Sequence, residues 1–335
     1  FTLIGVLSLT ACGTRRAELD KPRGVELDEC EVLTWSAVEN AVRYEVDVNG
    51  ISYWTEEESL DLFERIVQPG EYRIRVCAYG GKGELPSDWS EAVSYTLNSP
   101  QGLIAFAEVD GGYTVAAVKP WKITGKLVIP EAVGGVPIVQ IAEEGFRNCT
   151  DMTGVLIPNT VTSLGEKAFA GSALKRIRLS HAVEELDKMQ FHNCASLTEV
   201  EFPYGMKYVG NAFRSCTALK MVRFSETVED IRIMGFGECP NLTEVTVAED
   251  NPIFRSEGNC VIRRADQMLV LGGNTNKIPD GVEEIGNNAF SSRIVLTSII
   301  ISESVRKINR SAFYNTGLTQ IMIPAGIKEI APASF

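Results

Sequence analysis

The sequence predicts a mainly β protein in which a β-sandwich is followed by a solenoid of short strands joined by helical or 3-10 turns. Two observations lead to this fold class. Residues 101–335 repeat one sequence pattern at a nearly constant interval, which is typical of stacked units. Residues 22–97 lack that interval and contain short alternating stretches separated by turn residues, which is typical of a sandwich.

The first twelve residues resemble a bacterial lipoprotein signal. The apolar run 1–11 is too short to span a bilayer as a helix, and Leu9-Thr10-Ala11-Cys12 resembles a lipobox. The resemblance implies that Cys12 is lipidated, that residues 13–21 form a polar tether, and that the protein is exported and lipid-anchored at the bacterial cell surface. A buried strand with an incidental cysteine is the alternative interpretation.

Residues 22–97 resemble a fibronectin type III domain. Trp35 lies near an early strand, and a later strand begins at Tyr72, which the resemblance makes the corner tyrosine. Cys77 follows the inward-facing Val76 on this strand, so we expect its side chain to point outward. Turn residues at 97–102 mark the boundary with the repeats.

The repeat is marked by a phenylalanine that returns every 22 or 23 residues, with one longer interval of 54. The eight positions are Phe146, Phe169, Phe191, Phe213, Phe236, Phe290, Phe313 and Phe335. A period in the low twenties indicates units that bury their apolar faces only against their neighbours. Each unit also carries a strand motif such as Leu197-x-x-Val200-x-Phe202, in which alternating apolar residues predict a short strand.

The complete pattern, I-P-x-x-V-x-x-I-G-x-x-A-F-x-x-C-x-x-L-x-x-V, resembles that of the BspA-like (Treponema-type) leucine-rich repeats. Residues 157–179 and 282–301 match it almost position by position, and the resemblance covers residues 101–335. It implies a leucine-rich-repeat solenoid. Proteins with these repeats are associated with adhesion, so the resemblance also implies a protein or glycan partner on host matrix or on other cells.

Two irregularities interrupt the repeat. The interval of 54 residues predicts a hairpin insertion at about 250–280, with its turn near Ala265–Gln267, that bulges from the solenoid. Phe335 ends the chain inside a repeat without a polar cap, so we expect the C-terminus to be truncated.

Composition and motifs give no indication of catalysis. The net charge of −12 and the absence of a basic block argue against a nucleic-acid partner. The two histidines, His181 and His192, are half a repeat apart, and the chain contains no His-Glu-x-x-His, phosphate-loop, Gly-x-Ser-x-Gly or Cys-x-x-Cys motif. We therefore predict a non-enzymatic protein with no catalytic, cofactor-binding or metal-binding residues.

Four cysteines occupy one repeat position, three residues after a phenylalanine. They are Cys149, Cys194, Cys216 and Cys239. Parallel stacking places successive side chains about 5 Å apart, which is wider than the Cβ separation that a disulfide needs. We therefore expect free, buried thiols.

The candidate binding face consists of the residues on either side of the central strand valine, which should form columns along the stacked units. The predicted residues are Arg176, Arg178, Glu199, Glu201, Met221, Arg223, Glu244 and Thr246. Surface side chains that vary from unit to unit over a constant core are expected of a binding face. Alternatively, the alternating Arg and Glu side chains simply pair with one another as neighbours.

Two other functions remain open from the sequence. The chain could be the non-catalytic binding part of a larger surface enzyme whose catalytic domain is absent from it. It could also be a structural spacer without a ligand.

Overall fold

The computed structural model describes residues 18–81 and 84–335, apart from the side chain of Ile233, and divides into two compact units between Leu97 and Asn98. The predicted lipidation site Cys12 and the predicted signal 1–12 lie outside the described residues. Within the described ranges, no helix has the length and hydropathy that a membrane span needs.

The first unit contains two antiparallel sheets. The smaller has the order β1-β2-β5, and the larger has the order β4-β3-β6-β7. Their strands are β1 (Glu26–Leu27), β2 (Val32–Thr34), β3 (Ala41–Val48), β4 (Ile51–Thr55), β5 (Ser59–Asp61), β6 (Gly70–Gly80) and β7 (Val93–Leu97). The buried ring of Trp35 meets Tyr44 edge-on at 5.2 Å, and the Tyr72 hydroxyl donates to the carbonyl of Gln68 at 2.7 Å.

Cys77 alternates with the inward-facing Val76, but its side chain is only 3% exposed, so it is covered on the outer side of the strand. The residues that follow β6 return along its edge. Ser87 Oγ accepts from the Ala78 amide at 2.9 Å, and Ser90 Oγ accepts from the Val76 amide at 3.0 Å. Cys77 Sγ donates to the Ser87 carbonyl at 3.2 Å, so this returning segment covers the outer side of the strand.

The second unit begins with a hairpin that leads into the first coil. Strands β8 (Ile104–Val109) and β9 (Gly112–Ala117) pair antiparallel, and β9 then pairs in parallel with β12. The intervening elements are the 3-10 helix η1 (Pro120–Lys122), β10 (Thr124–Val128), β11 (Ala132–Val133) and β12 (Val136–Ile141).

Two parallel strand ladders run along the repeats, which confirms a mainly β solenoid. The first ladder consists of two three-stranded parallel sheets. One contains β10, β13 (Asp151–Leu156) and β15 (Arg176–Arg178), and the other contains β17 (Glu199–Glu201), β19 (Met221–Phe224) and β21 (Glu244–Val247). The second ladder has three parts, which are the pair β12 and β14 (Ser163–Leu164), the sheet of β16 (Glu185–Leu186), β18 (Tyr208–Val209) and β20 (Asp230–Ile231), and the strands β25 (Glu284–Ile285), β26 (Lys307–Ile308) and β27 (Glu329–Ile330). Apolar residues of both ladders face the buried space between them.

The repeat phenylalanines stack ring on ring at the turn that follows the second ladder. Consecutive ring centroids from Phe146 to Phe236 are 5.0–5.8 Å apart, with interplanar angles of at most 8°. The stack resumes from Phe290 to Phe335 with centroid distances of 5.2 and 5.4 Å. Such pairs contribute about 0.5–1.5 kcal/mol each beyond the burial of their area.

The prediction of helical or 3-10 turns in the repeats was not borne out. The phenylalanine amide donates to the next coil, as in Phe169 to the Gln190 carbonyl at 2.8 Å, and so is not used within the turn. Left-handed dihedrals also lie two residues before the phenylalanine, at Lys167 (φ 52°) and Met189 (φ 56°), where an α-helix cannot continue. Among the described repeats a 3-10 helix, η2 (Ile233–Phe236), forms before Phe236, where Met234 is not left-handed.

The repeat cysteines are buried free thiols that bind the neighbouring turn. The Sγ atoms of Cys194, Cys216 and Cys239 donate to the carbonyl of the phenylalanine one coil earlier, at 3.2, 3.2 and 3.3 Å. Burial raises the pKa of Cys194 and of Cys239 to about 11, so both remain protonated thiols that can donate at neutral pH.

The insertion is part of the solenoid core, so the expectation that it bulges outward was wrong. It forms an antiparallel meander of β22 (Phe254–Glu257), β23 (Cys260–Arg263) and β24 (Met268–Gly272), and β24 pairs in parallel with β25. Val261, Ile262, Leu269 and Leu271 are fully buried, so the meander contributes its apolar side chains to the core.

Gly272 and Arg293 join the insertion to the following repeat. A Cβ at Gly272 would overlap the ring of Phe290, so glycine allows the backbone of β24 to lie against that ring. Arg293 stands at the repeat position of the cysteines and is only 1% exposed. Its Nε donates to the Gly272 carbonyl and its Nη1 to the Phe236 carbonyl, both at 3.1 Å. Burial lowers the pKa of the Arg293 guanidinium.

We predict that Arg293→Met lowers the free energy of unfolding by about 3 kcal/mol, because it leaves the buried carbonyls of Gly272 and Phe236 without their donors. Urea denaturation measures the loss. Arg310→Met, at an exposed arginine, is the matched control and should change the value by less than about 0.5 kcal/mol. Equal stability of the two variants would show that the insertion does not depend on this guanidinium.

Candidate functional site

The structure brings the eight predicted face residues together on the first ladder. Glu199 lies opposite Met221, and Met221 lies opposite Glu244 on the next strand. Arg223 lies between Glu201 and Thr246 in the same way. We call the set Arg176, Arg178, Glu199, Glu201, Met221, Arg223, Glu244 and Thr246 the column surface.

The column surface follows from the alternation of inward and outward side chains in the strand motif. The central valines Val200, Val222 and Val245 are buried, so the residues on either side of each valine point away from the core. Glu201 and Arg223 are exposed, and the other six residues are half-buried.

Charges on the column surface pair with neighbours along the ladder. Arg176 Nε lies 3.4 Å from Glu199 Oε1, and Arg223 Nη2 lies 3.5 Å from Glu244 Oε1. Such partly exposed pairs contribute little to stability, and they hold the long side chains in place at small cost. The surface carries three arginines and three glutamates, so its net charge is zero.

Arg178 of the column surface is held by the backbone. Its Nη1 donates to the Ile157 carbonyl at 3.3 Å, one coil earlier. A neutral, ordered row of mixed charge suits a protein surface or an uncharged glycan better than a polyanion.

Metal-binding clusters are absent from the described ranges 18–81 and 84–335, where no group of three or more His, Cys, Asp or Glu residues is arranged to hold a metal ion. His181 is exposed, and His192 is half-buried with an Nδ1 that makes no hydrogen bond to the described part of the chain.

A cavity beside the insertion is a second candidate site, which the sequence analysis missed. It has a volume of about 530 Å³ and is lined by Gly258, Asn259, Asn274–Asn276 and Val295–Ser298. Its walls come from three separate stretches of chain. The sequence signal that could have indicated it is the polar run 274–276, directly after the point where the repeat is interrupted.

Comparison with solved structures identifies the same fold in proteins from bacteria. A leucine-rich repeat protein from Eubacterium ventriosum has 23% identity and a TM-score of 0.54, over 69% of this chain and 66% of its own length. The pneumococcal vaccine antigen PcpA has 20% identity and a TM-score of 0.50, over 69% of this chain and 76% of its own. At these identities the likeness concerns the fold alone. Curated protein sequences include no significant match.

The repeats themselves match a described sequence family. The BspA type leucine rich repeat region is found in six copies, over residues 139–258 and 274–335. The unmatched interval 259–273 coincides with β23 and β24 of the insertion. The match extends over more than half of the sequence, and the chain belongs to the BspA type leucine rich repeat family.

Proposed function

We propose that this protein is a non-enzymatic bacterial cell-surface lipoprotein that binds a protein or glycan through its repeat solenoid. The observation that carries the proposal is the column surface, an ordered row of polar side chains over a rigid buried core. Its partner would lie on host matrix or on other cells. PcpA, which has a similar fold, is described as a vaccine antigen, in keeping with exposure at a cell surface.

The proposed domain organisation puts the anchor at one end of the sequence and the binding repeats at the other. Residues 1–12 would supply the lipid anchor and residues 13–21 the tether, followed by a fibronectin type III-like domain at 22–97 and the repeats at 101–335. Two antiparallel sheets, the buried Trp35 and the hydrogen bond from Tyr72 to Gln68 support the type III-like assignment.

We predict that Arg223→Glu weakens adhesion about five- to tenfold, because it reverses a charge in the middle of the column surface. Beads coated with the protein would be counted on wells coated with collagen, fibronectin, laminin or mucin. The variant also places a third glutamate beside two others, since Arg223 lies opposite Glu201 and pairs with Glu244. The double variant Arg223→Glu/Glu244→Arg restores the pair with its signs exchanged and leaves the exposed Glu201 as a like-charged neighbour, so it should recover most of the parent's stability but still adhere weakly.

A control variant lies on the other wall of the solenoid. Lys207 pairs with Glu184 at 2.8 Å, and both side chains are well exposed, so Lys207→Glu has a similar local effect away from the column surface. We expect Lys207→Glu to adhere as strongly as the parent protein. Unchanged adhesion in all column variants would favour the ligand-free spacer, and equal losses in Lys207→Glu would point to a non-specific charge effect.

For the anchor, we predict that Cys12 carries a diacylglyceryl group and is the first residue of the mature protein. Mass spectrometry of the N-terminal peptide from membrane fractions measures this directly. Cys12→Ser should release the protein into the soluble fraction. An unmodified Cys12 in the mature protein would refute the lipoprotein assignment.

A further inference from the structure

The cavity beside the insertion has preformed walls. The Asn274 amide donates to the Leu242 carbonyl at 2.6 Å, and the Gly273 amide donates to the Asn259 carbonyl at 2.8 Å. On the other side, the Ile300 amide donates to the Asn276 carbonyl at 2.9 Å. Backbone hydrogen bonds therefore fix the separate stretches of chain relative to one another, so a ligand would not have to order them.

The lining of the cavity is rich in neutral hydrogen-bonding groups and contains no charged residue. The side chains of Asn276, Thr297 and Ser298 are exposed and make no hydrogen bond to the described part of the protein. Each of these amides and hydroxyls can both donate and accept. Val295, which is 49% exposed, adds an apolar surface beside them.

The side chain of Asn274 forms part of the fixed wall. Its Nδ2 donates to the Pro240 carbonyl at 2.9 Å, which orients the side chain. Its Oδ1 is buried and has no hydrogen-bond partner within the described ranges. Because this oxygen has almost no accessible surface, the polar groups that a ligand can reach are those of the exposed lining residues.

The chemistry of these walls selects a class of ligand. The cavity is wide open to solvent, and no lysine, arginine, aspartate or glutamate lines it, so it offers no opposite charge that would select a charged ligand. An extended peptide that adds a strand needs a free strand edge, but the backbone of 274–278 is already bonded to Leu242 and Ile300. A polyhydroxyl ring, with hydroxyls at its rim and C–H groups on its face, fits the amides, hydroxyls and Val295 together.

We propose that this cavity binds a neutral saccharide unit. Its volume of about 530 Å³ is within the range of roughly 300–1,000 Å³ that is usual for small-ligand sites. The inference deepens the proposed binding function by naming one ligand class. The cavity lies outside the column surface, beside the insertion. An experiment can therefore refute saccharide binding in the cavity without refuting adhesion through the column surface, and the reverse also holds.

Saturation-transfer NMR on the full chain tests the proposal. The probes are the methyl glycosides of glucose, galactose, mannose and N-acetylglucosamine, with sialyllactose and a heparin tetrasaccharide as anionic comparators. We expect transfer to at least one methyl glycoside and weaker or no transfer to the anionic probes. Asn276→Ala/Thr297→Val should reduce the affinity about tenfold, because it removes two hydrogen-bonding groups.

The matched control is Thr319→Val, which makes the same change one coil further on, outside the cavity lining. It should bind like the parent. Because Asn276 and Thr297 are exposed and make no side-chain hydrogen bond among the described residues, the double variant should keep the parent melting temperature. The proposal is overturned by transfer to no neutral glycoside, by transfer to anionic probes only, or by equal binding in parent and double variant.

Discussion

The phenylalanine turn is the contact on which the rest of the solenoid depends. Within each of the two stacks the rings lie 5.0–5.8 Å apart. Six of the phenylalanine amides donate to the following coil rather than within their own turn, at Phe146, Phe169, Phe191, Phe213, Phe290 and Phe313. The cysteine three residues later adds a second bond to the neighbouring turn, as in Cys216 to Phe191. Ring stacking and backbone bonding therefore act in the same direction, along the solenoid. They fix the register of successive coils, and the register in turn brings the column surface together.

The insertion shows how this stack can be interrupted without opening the core. Gly272 lies against the ring of Phe290 where another coil would supply a phenylalanine. Arg293 replaces a cysteine and reaches back across the insertion to the Phe236 carbonyl. A short thiol can bond only to the adjacent coil, so the longer guanidinium is needed here. The same departure from the repeat opens the cavity at 274–276, which links an irregularity of packing to a candidate site.

Much of the fold follows from local sequence patterns, and what was missed depends on contacts between distant residues. The spacing of the phenylalanines predicted the stacking of the repeat units. The strand motif predicted that Glu201, Arg223 and Thr246 lie in register on neighbouring strands. The turns were not predicted correctly, because Lys167 and Met189 have no intrinsic preference for left-handed dihedrals and adopt them to serve bonds between coils. Burial of Cys77 and the cavity were missed for the same reason. Both are created by segments that come from elsewhere in the chain.

Native-state hydrogen exchange tests the central role of the turn most directly. The amides of Phe169, Phe191 and Phe213 donate to the next coil, so we expect protection comparable to that of Val222 in the strand ladder. Amides of turns that depend only on local contacts exchange much faster. Protection of the three phenylalanine amides at the level of the strand would support the account. Exchange as fast as that of exposed loops would contradict it and would leave the strand ladders alone holding the coils together.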